Sequence, residues 1–552
     1  MTENRTRPLD APAPWWSTAV IYEVYPRSFA DSDGDGVGDL AGIRQRLPYL
    51  ESLGVHGIWL TPFQRSPQVD QGYDISDYCA VDPLFGTLAE FDALLADAHA
   101  RGIHVLVDIV PNHTSTENEL FQKALAAQPG SPERAMFHFV DSMDAAGLVP
   151  PNNWISVFGG SAWHRAHPAS TTDLQWYLHL FSSAQPDWNW NNPAVVDYFD
   201  RVLRFWFDRG VDGIRIDVAH GLFKAPGLPD ADSVPVVIDG LRSNPLAMDQ
   251  EPVHAIYRRW RRLAQSYDRE RLLVGEVNLE PQRAGRYTRP DELHQTFAFA
   301  FARLGWDQEA WVSVGSELER VRVETGADPS WALENHDLVR TVTRFGGGEL
   351  GAARARAAIV ALLGLPGSAY VFQGQELGLP EIDVPLADRA DPMWTRGGVS
   401  RDGARVPLPW DPDPAGAFGF SPVGPTVGSG VGYEVGSGVG PARPWLPQPE
   451  GWGDWAVSKQ LGDAASTLSV FTGAMRSRAE LVASGVFRAG AAARWSGTPD
   501  GRVMCERQGG VTVVVAMGDA AVPLPPGRPL LTSAPLVAGL LPPNAAAWVQ
   551  RS

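Results

Sequence analysis

At 552 residues, 44% hydrophobic and 20% charged, the chain has ordinary globular composition and more length than one domain commonly uses, so a large domain with smaller companions is expected. Its 64 acidic against 46 basic residues leave a formal net charge of −18, which argues against nucleic acid or an anionic membrane as partner and suits a neutral substrate. Two distant cysteines, Cys79 and Cys505, form no metal-ligand pattern, and neither an apolar leader nor a membrane-length apolar run is present, so free thiols and a cytoplasmic setting are expected.

From residue 18 onward, short apolar strands alternate with amphipathic helical runs, the pattern of parallel βα units. Strands are expected at 19–25, 57–61, 105–110, 213–217, 272–276, 295–299, 331–334 and 369–372. Runs such as LAGIRQRLPYLESLG, LAEFDALLADAHARG and VVDYFDRVLRFWFDRG supply the intervening helices. Eight units are the count of a (β/α)8 TIM barrel, whose site lies at the C-terminal ends of its strands. A doubly wound sheet would instead place a Gly-rich phosphate turn after the first strand, where this chain has an acidic loop.

Roughly 80 residues separate the third strand from the next helix, too many for a plain loop. The barrel is therefore assigned to 14–111 and 183–484, with an inserted subdomain at 112–182 standing over its mouth. That insert is rich in aromatics, among them Trp154, Phe158, Trp163 and Trp176, which could stack on sugars or fill a small core. Residues 412–443 are Gly/Pro/Ser-rich and repeat VGSGVG, the composition of a flexible loop. Past about residue 485, short Val/Leu/Ala strands with Gly and Pro turns suggest a C-terminal antiparallel β domain, a small sandwich over 485–552.

Polar residues gather at the predicted strand ends: Asp108, Asn112 and His113 after the third; Arg215 and Asp217 on the fourth; Glu276 on the fifth; His336 and Asp337 on the seventh. Each alone could be a structural cap or pair. Three acids at one end of a barrel, however, fit glycoside cleavage. A retaining enzyme needs one carboxylate as nucleophile and a second carboxyl about 5–5.5 Å away as proton donor. Arg215, two residues before Asp217 on the same strand face, would keep the nucleophile ionised, while burial and the charge of Asp217 would keep Glu276 protonated. No zinc motif is present.

Together DIVPNH, GIRIDVAH, GEVN and ENHD resemble the four conserved regions of glycoside hydrolase family 13, the α-amylase superfamily. Gln185-Pro186-Asp187-Trp188-Asn189 resembles the QPDLN marker of its oligo-1,6-glucosidase and α-glucosidase branch. The resemblance implies Asp217 as nucleophile, Glu276 as acid/base and Asp337 as transition-state stabiliser. It implies Arg215, His113 and His336 as residues of the subsite that holds the cleaved glucose. From GYDISDY it implies Tyr73 stacking on that glucose and Asp74 binding its distal hydroxyls. SRDGAR resembles the branch's SRDNAR, so Arg401 is expected to pair with Asp74 and close the pocket end. Phe158, Gln185, His220 and Arg340 complete the expected sugar contacts.

The loop Asp31-Ser-Asp33-Gly-Asp35-Gly-Val37-Gly-Asp39 has oxygen ligands at alternate positions, like the first half of an EF-hand loop without its closing Glu. The family resemblance implies a structural Ca²⁺ here, bound by Asp31, Asp33, Asp35, the Val37 carbonyl and Asp39, with Mg²⁺ as alternative. Val218 after the nucleophile resembles α-1,6-acting members, but Ala219-His220 departs from their Ile-Asn. The expected activity is a retaining exo-α-glucosidase on short oligosaccharides and disaccharides, as monomer or homo-oligomer, with linkage open. An oligo-1,6-glucosidase, or a transglycosylase or isomerase acting on sucrose, maltose or trehalose, is the alternative.

Overall fold

The computed structural model describes residues 13–232, 236–238, 241–422 and 443–551. Eight parallel strands form one sheet: β1 (Val20–Val24), β2 (Gly57–Leu60), β3 (His104–Ile109), β4 (Gly213–Ile216), β5 (Leu272–Gly275), β6 (Gln295–Thr296), β7 (Ser330–Ala332) and β8 (Ser368–Phe372). Hydrogen bonding runs β6-β5-β4-β3-β2-β1-β8-β7, and a parallel bridge between Phe297 and Ser330 closes the barrel. All eight expected strands are present. The sixth is shorter than expected, because a helical turn, Phe299–Ala302, takes over its last residue.

Alternation along each strand sorts the side chains. Ile21, Trp59, Leu106, Leu272, Val274, Ala332 and Tyr370 pack together inside the barrel, whereas Val20, Tyr22, Ile58, Val105, Val107 and Ile214 join the shell between strands and helices. Close approach dictates Gly213, since a Cβ there would lie 2.8 Å from the Leu272 Cβ. The enclosing helices include α1 (Leu40–Leu53), α2 (Leu88–Ala100), α3 (Pro193–Asp208), α4 (Val253–Ala264), α5 (Gln308–Thr325) and α6 (Gly348–Gly364). Asp39 caps α1 through the Gly42 N–H, and Thr87 with Glu90 forms a capping box on α2.

Between β3 and α3 the chain builds a short helix (Glu119–Ala126) and a three-stranded antiparallel sheet with Gln175–Leu178 between Phe139–Asp141 and Trp163–Arg165. Trp154, Val157, Phe158, Trp163 and Leu178 form its core together with Met248 and Met393 from beyond β4 and β8. A second excursion after β4 carries a hairpin, Val236–Ile238 with Leu241–Ser243, that the sequence patterning does not announce. It is tied to the insert by Trp154 Nε1 donating to the Pro229 carbonyl at 2.8 Å and Asn152 Nδ2 to that of Leu228 at 2.9 Å.

After α7 (Thr467–Ala483) come β9 (Ala493–Gly497), β10 (Arg502–Arg507), β11 (Val511–Ala516), β12 (Arg528–Thr532) and β13 (Ala545–Gln550). They make one antiparallel sheet ordered β9-β10-β11-β13-β12. The sandwich expected over 485–552 is thus a single sheet among the described residues, because helices stand in for a second one. Trp548 bonds the Val360 carbonyl of α6 at 2.9 Å, and Trp495 lies on Gly315 of α5. Of the expected loop at 412–443, residues 423–442 lie outside the described residues. Both cysteines are free thiols, and no described helix is long and apolar enough to cross a membrane.

Candidate active site

The C-terminal strand ends open into a cavity of about 390 Å³, lined by Tyr73, His113, Phe158, Asp217, His220, Glu276, His336, Asp337 and Arg401 among others. Nine of the thirteen residues expected from sequence therefore share one chamber. Arg215, Gln185, Arg340 and Asp74 do not line it, and each has a physical reason.

Arg215 lies just beneath the floor, 1% exposed, with its guanidinium 4.9 Å from the Trp59 ring centroid. Strand alternation aims it inward with Asp217. Its Nη1 meets Asp217 Oδ1 at 2.6 Å and Asp108 Oδ2 at 2.9 Å, while Nη2 meets Glu276 Oε2 at 2.8 Å. Its contacts are carboxylates, so it acts on substrate through them. Arg215 thus serves Asp108 and Glu276 as well as the Asp217 it was expected to keep ionised. Burial pushes the Asp217 carboxyl up, Arg215 opposes that, and the charges of Glu276 and Asp108 add to the rise. Asp108 is pushed up to about 7, chiefly by burial and against the pull of Arg215. Three carboxylates around one guanidinium would leave two uncompensated charges if all ionised, so this floor retains a proton. Asp217 and Glu276 are in direct hydrogen-bond contact.

Val218 N–H also donates to Glu276 Oε2, at 3.1 Å. It does so from a left-handed backbone, φ 42°, a strained conformation for a β-branched residue. Gly275 sits in a crowded spot: a Cβ there would displace the Leu293 Cδ1 methyl, 2.5 Å away, and press on Ala219 Cβ at 3.2 Å.

At the far end, Arg401 grips Asp391 with Nε at 2.9 Å and Nη2 at 2.7 Å, and reaches Asp337 Oδ1 at 2.9 Å and Asp70 Oδ1 at 3.2 Å. Asp70, not Asp74, is its partner from the GYD loop. Asp74 is fully buried and turned back, accepting Ser66 Oγ at 2.9 Å and the N–H groups of Val69 and Asp70 at 2.9 and 3.0 Å. Gln185 stands behind the wall, with Nε2 3.0 Å from Asp70 Oδ2 and 3.1 Å from His113 Nε2. Arg340 turns away to the carbonyls of Gln373 and Ala404 and to Glu334.

Asp337 also receives Arg405 Nη2 at 2.9 Å. Burial would raise its carboxyl, but His336, Arg401 and Arg405 outweigh that and hold it well below the usual range. His336 stacks between Tyr73 (5.2 Å, 13°) and Tyr25 (5.7 Å, 18°). Burial keeps both imidazoles neutral, with His113 and His336 each lowered to about 3. Four residues of this site escaped the sequence reading: Asp70, Asp391, Arg405 as a partner of Asp337, and Glu23 beneath His336. An acid inside the apolar strand VIYEV was the available signal for the last.

The acidic loop brings Asp31, Asp33 and Asp39 oxygens within 4.8 Å of one another. Asp35 is not in that group: its Oδ1 accepts the Val37 N–H at 2.8 Å, and burial with the neighbouring acids pushes it to about 6. Positive φ at Gly34 and Gly36 bends the loop round Asp31, whose oxygens take the Gly34 and Gly36 N–H groups.

A family model described as the alpha amylase catalytic domain matches residues 23–427. A probable alpha-glucosidase of Rhizobium meliloti is 36% identical over 492 residues, 85% of this chain and 83% of the relative. A trehalose-6-phosphate hydrolase of Escherichia coli is 37% identical over 454 residues, 75% of this chain and 78% of the relative. The crystal structure of an alpha-glucosyl transfer enzyme superposes with a TM-score of 0.83 at 32% identity, covering 98% of this chain and all of that one.

Proposed function

The chain belongs to the α-amylase family of glycoside hydrolases, in its α-glucosidase group, and from that premise we propose that it is a retaining, exo-acting α-glucosidase that removes terminal non-reducing α-linked glucose from short oligosaccharides and disaccharides. One observation carries the proposal: Asp217 and Glu276 share the Arg215 guanidinium and touch each other at the floor of a chamber closed at one end by Arg401. Inverting pairs stand about 6.5–9.5 Å apart to admit a water, a gap that carboxyls in contact do not leave.

In the proposed reaction, ionised Asp217 attacks the anomeric carbon while Glu276 gives its proton to the departing oxygen. One proton between the two is what the charge balance of the floor supplies. Glu276, now a carboxylate, takes a proton from the incoming water, which cleaves the glucosyl ester and frees Asp217. Asp337, kept ionised by two guanidinium groups, faces the positive charge that develops on the ring. Exo action follows from the far wall, where Asp70, Arg401 and Asp391 block further chain and Phe158 covers the guanidinium at 5.5 Å.

A neutral aglycone is favoured over a phosphorylated one. Among the described residues, the other cations of the lining are engaged: Arg303 with Asn278 at 2.6 Å, Arg344 with three carbonyls. Glu381 in the same lining, pushed up to about 7 by burial, offers a phosphate no positive charge and repels it as it ionises. A second reading, glucosyl transfer beside hydrolysis, is favoured by the half-exposed Val339 and Val399 of the lining, apolar surface on which an acceptor could rest. Val218 shapes the aglycone side, where a methyl-sized difference is worth about 1–3 kcal/mol of discrimination.

We further assign a structural Ca²⁺ to Asp31, Asp33 and Asp39, since convergent hard oxygens suit such a cation, which would offset their mutual repulsion. The test of the main proposal is a product time course by NMR on maltose, isomaltose, sucrose, trehalose and trehalose 6-phosphate. α-Glucose should appear first from one or both glucobioses; β-glucose first refutes retention, and turnover confined to the phosphorylated sugar or predominant isomer formation refutes the substrate class.

A further inference from the structure

Glu23 is the one charged residue of β1. Alternation turns it inward with Ile21, and it is 1% exposed. Its Oε1 lies 2.5 Å from Nδ1 of His336, whose backbone N–H is a further 3.4 Å contact. Among the described residues, the imidazole is its one ion-pair partner. On the other side of the ring, Nε2 faces Asp337 Oδ2 at 3.4 Å. The stacking tyrosines, Tyr25 and Tyr73, hold the plane of the ring, and its two nitrogen contacts select the orientation within that plane.

One proton lies between Glu23 Oε1 and His336 Nδ1, and burial of both groups, which disfavours the ion pair, places it on the acid. Asp337 is held ionised by Arg401 and Arg405, so a bare Nε2 would set lone pair against lone pair; Nε2 therefore carries hydrogen. In a neutral imidazole Nδ1 is then bare, and its 2.5 Å contact with a carboxyl oxygen requires a proton on Glu23. We propose that Glu23 is the positioning residue of His336: as a neutral acid it donates to Nδ1, locks the Nε2–H tautomer, and so aims a donor at Asp337 and the bound sugar. The proposal rests on the assignment of this chamber to the cleaved glucose.

The surrounding charges agree. Burial raises the Glu23 carboxyl well above its usual range; Arg215 opposes this, while Asp337 and Asp108 reinforce it. Burial likewise lowers His336, with Arg405, Arg215 and Arg401 acting in the same direction and Asp337 against them. Below the ring, Glu23 borders a void of about 10 Å³ shared with Trp59, Glu334, Asn335 and Tyr370. Glu334 there is already spent on Arg340 and Thr341, and Arg215, the cation whose charge reaches Glu23, is divided among Asp108, Asp217 and Glu276. A neutral imidazole donor also adds no positive charge beside a ring that itself becomes positive in the transition state.

The test compares wild type, Glu23→Gln and Glu23→Met on an aryl α-glucoside, with thermal unfolding as control for folding. The Gln amide can donate to Nδ1 as the acid does, and should keep kcat/KM within about threefold; Met fills the space without a donor and should lose about ten- to a hundredfold. Gln as impaired as Met would mean that an anion is needed, and Met as active as wild type would mean that nothing is positioned; either overturns the proposal. Should the Met variant not fold, the pH–rate profiles of wild type and Glu23→Gln decide. They should superpose from pH 5 to 9, and a limb present only in wild type overturns a neutral Glu23. A wild-type enzyme inert on the aryl glucoside would overturn the glucosidase assignment instead.

Discussion

Asp70→Asn should make this protein more stable at alkaline pH and less active. Asp70 is 6% exposed, and burial pushes its carboxyl from 3.8 to about 6 despite Arg401. Between pH 4 and 6 the folded protein therefore keeps a proton that the unfolded chain releases. Stability falls as pH rises through that window, and the penalty is complete above it: a shift of about two units costs about 3 kcal/mol. Asparagine does not titrate. Its own cost is a weakened contact with Arg401 Nη2 (3.2 Å) or Gln185 Nε2 (3.0 Å), about 1 kcal/mol and independent of pH. The stability difference, variant minus wild type, should thus rise by about 1.5 kcal/mol from pH 5 to pH 8 and be positive at pH 8. Urea unfolding at the two pH values measures it. In the same samples kcat/KM for maltose or isomaltose should fall about tenfold or more, whereas Asp74→Asn, which touches only its own loop, should spare activity. A difference that is flat or falling with pH refutes the electrostatic account, and greater loss of activity in Asp74→Asn refutes the placement of the pocket end.

Asp217→Asn should cut kcat by roughly 10⁴-fold or more, the scale of removing a nucleophile. Glu276→Gln should lose about 10²–10⁴ on maltose and far less on an aryl glucoside, whose leaving group needs no proton; equal losses on both would refute its role as acid. Arg478→Met should lower the unfolding temperature and leave activity per folded molecule unchanged, because that guanidinium donates to the carbonyls of Leu363, Leu365 and Gly367 at and beyond the end of α6 and to that of Thr18 before β1. Orphaning them costs about 3 kcal/mol or more, and an unchanged melting curve refutes this. EDTA should lower the unfolding temperature and Ca²⁺ restore it, by about 2.7 kcal/mol at a hundredfold excess over Kd; indifference to both refutes the assigned ion.

What the sequence conveyed is what neighbours along the chain decide. A strand end carries its own direction, so Arg215 and Asp217, two residues apart, had to share a face, and the eight apolar runs had to become strands. Asp70 and Asp74 sit in one turn, and which of them faces the cavity depends on left-handed backbone at Gln71 (φ 52°) and Gly72 (φ 108°). No side-chain pattern encodes that reversal. Arg340 illustrates the same gap: three residues after Asp337, it begins a helical turn, Thr341–Arg344, that carries it away to Glu334. Glu23 and His336 are 313 residues apart, so their contact exists only once the barrel closes. The single C-terminal sheet was hidden for a related reason, since strand patterning does not say whether another sheet or a helix covers it.

The division of labour among the acids follows from counting cations. The floor and the pocket end each hold three carboxylates: Asp108, Asp217 and Glu276 below, Asp70, Asp337 and Asp391 above. Below there is one guanidinium, Arg215; above there are two, because Arg405 joins Arg401 at Asp337. Burial raises both groups, and above, the extra cation overcomes it at Asp337 and Asp391 but not at Asp70, which stays raised to about 6. The floor is left short of positive charge, and Asp108 and Asp217 are displaced upward, so one proton is retained among the three coupled carboxyls, the proton that the mechanism passes through Glu276. At the other end Asp391 is held down at about 2 and Asp337 lower still, a permanent charge against a cationic ring. Both upper guanidinium groups come from the segment after β8, as does Asp391, whereas Asp70 and Asp337 are brought to them from far along the chain. Exchanging proton-handling for fixed charge would need no new acid, only a second arginine at the floor.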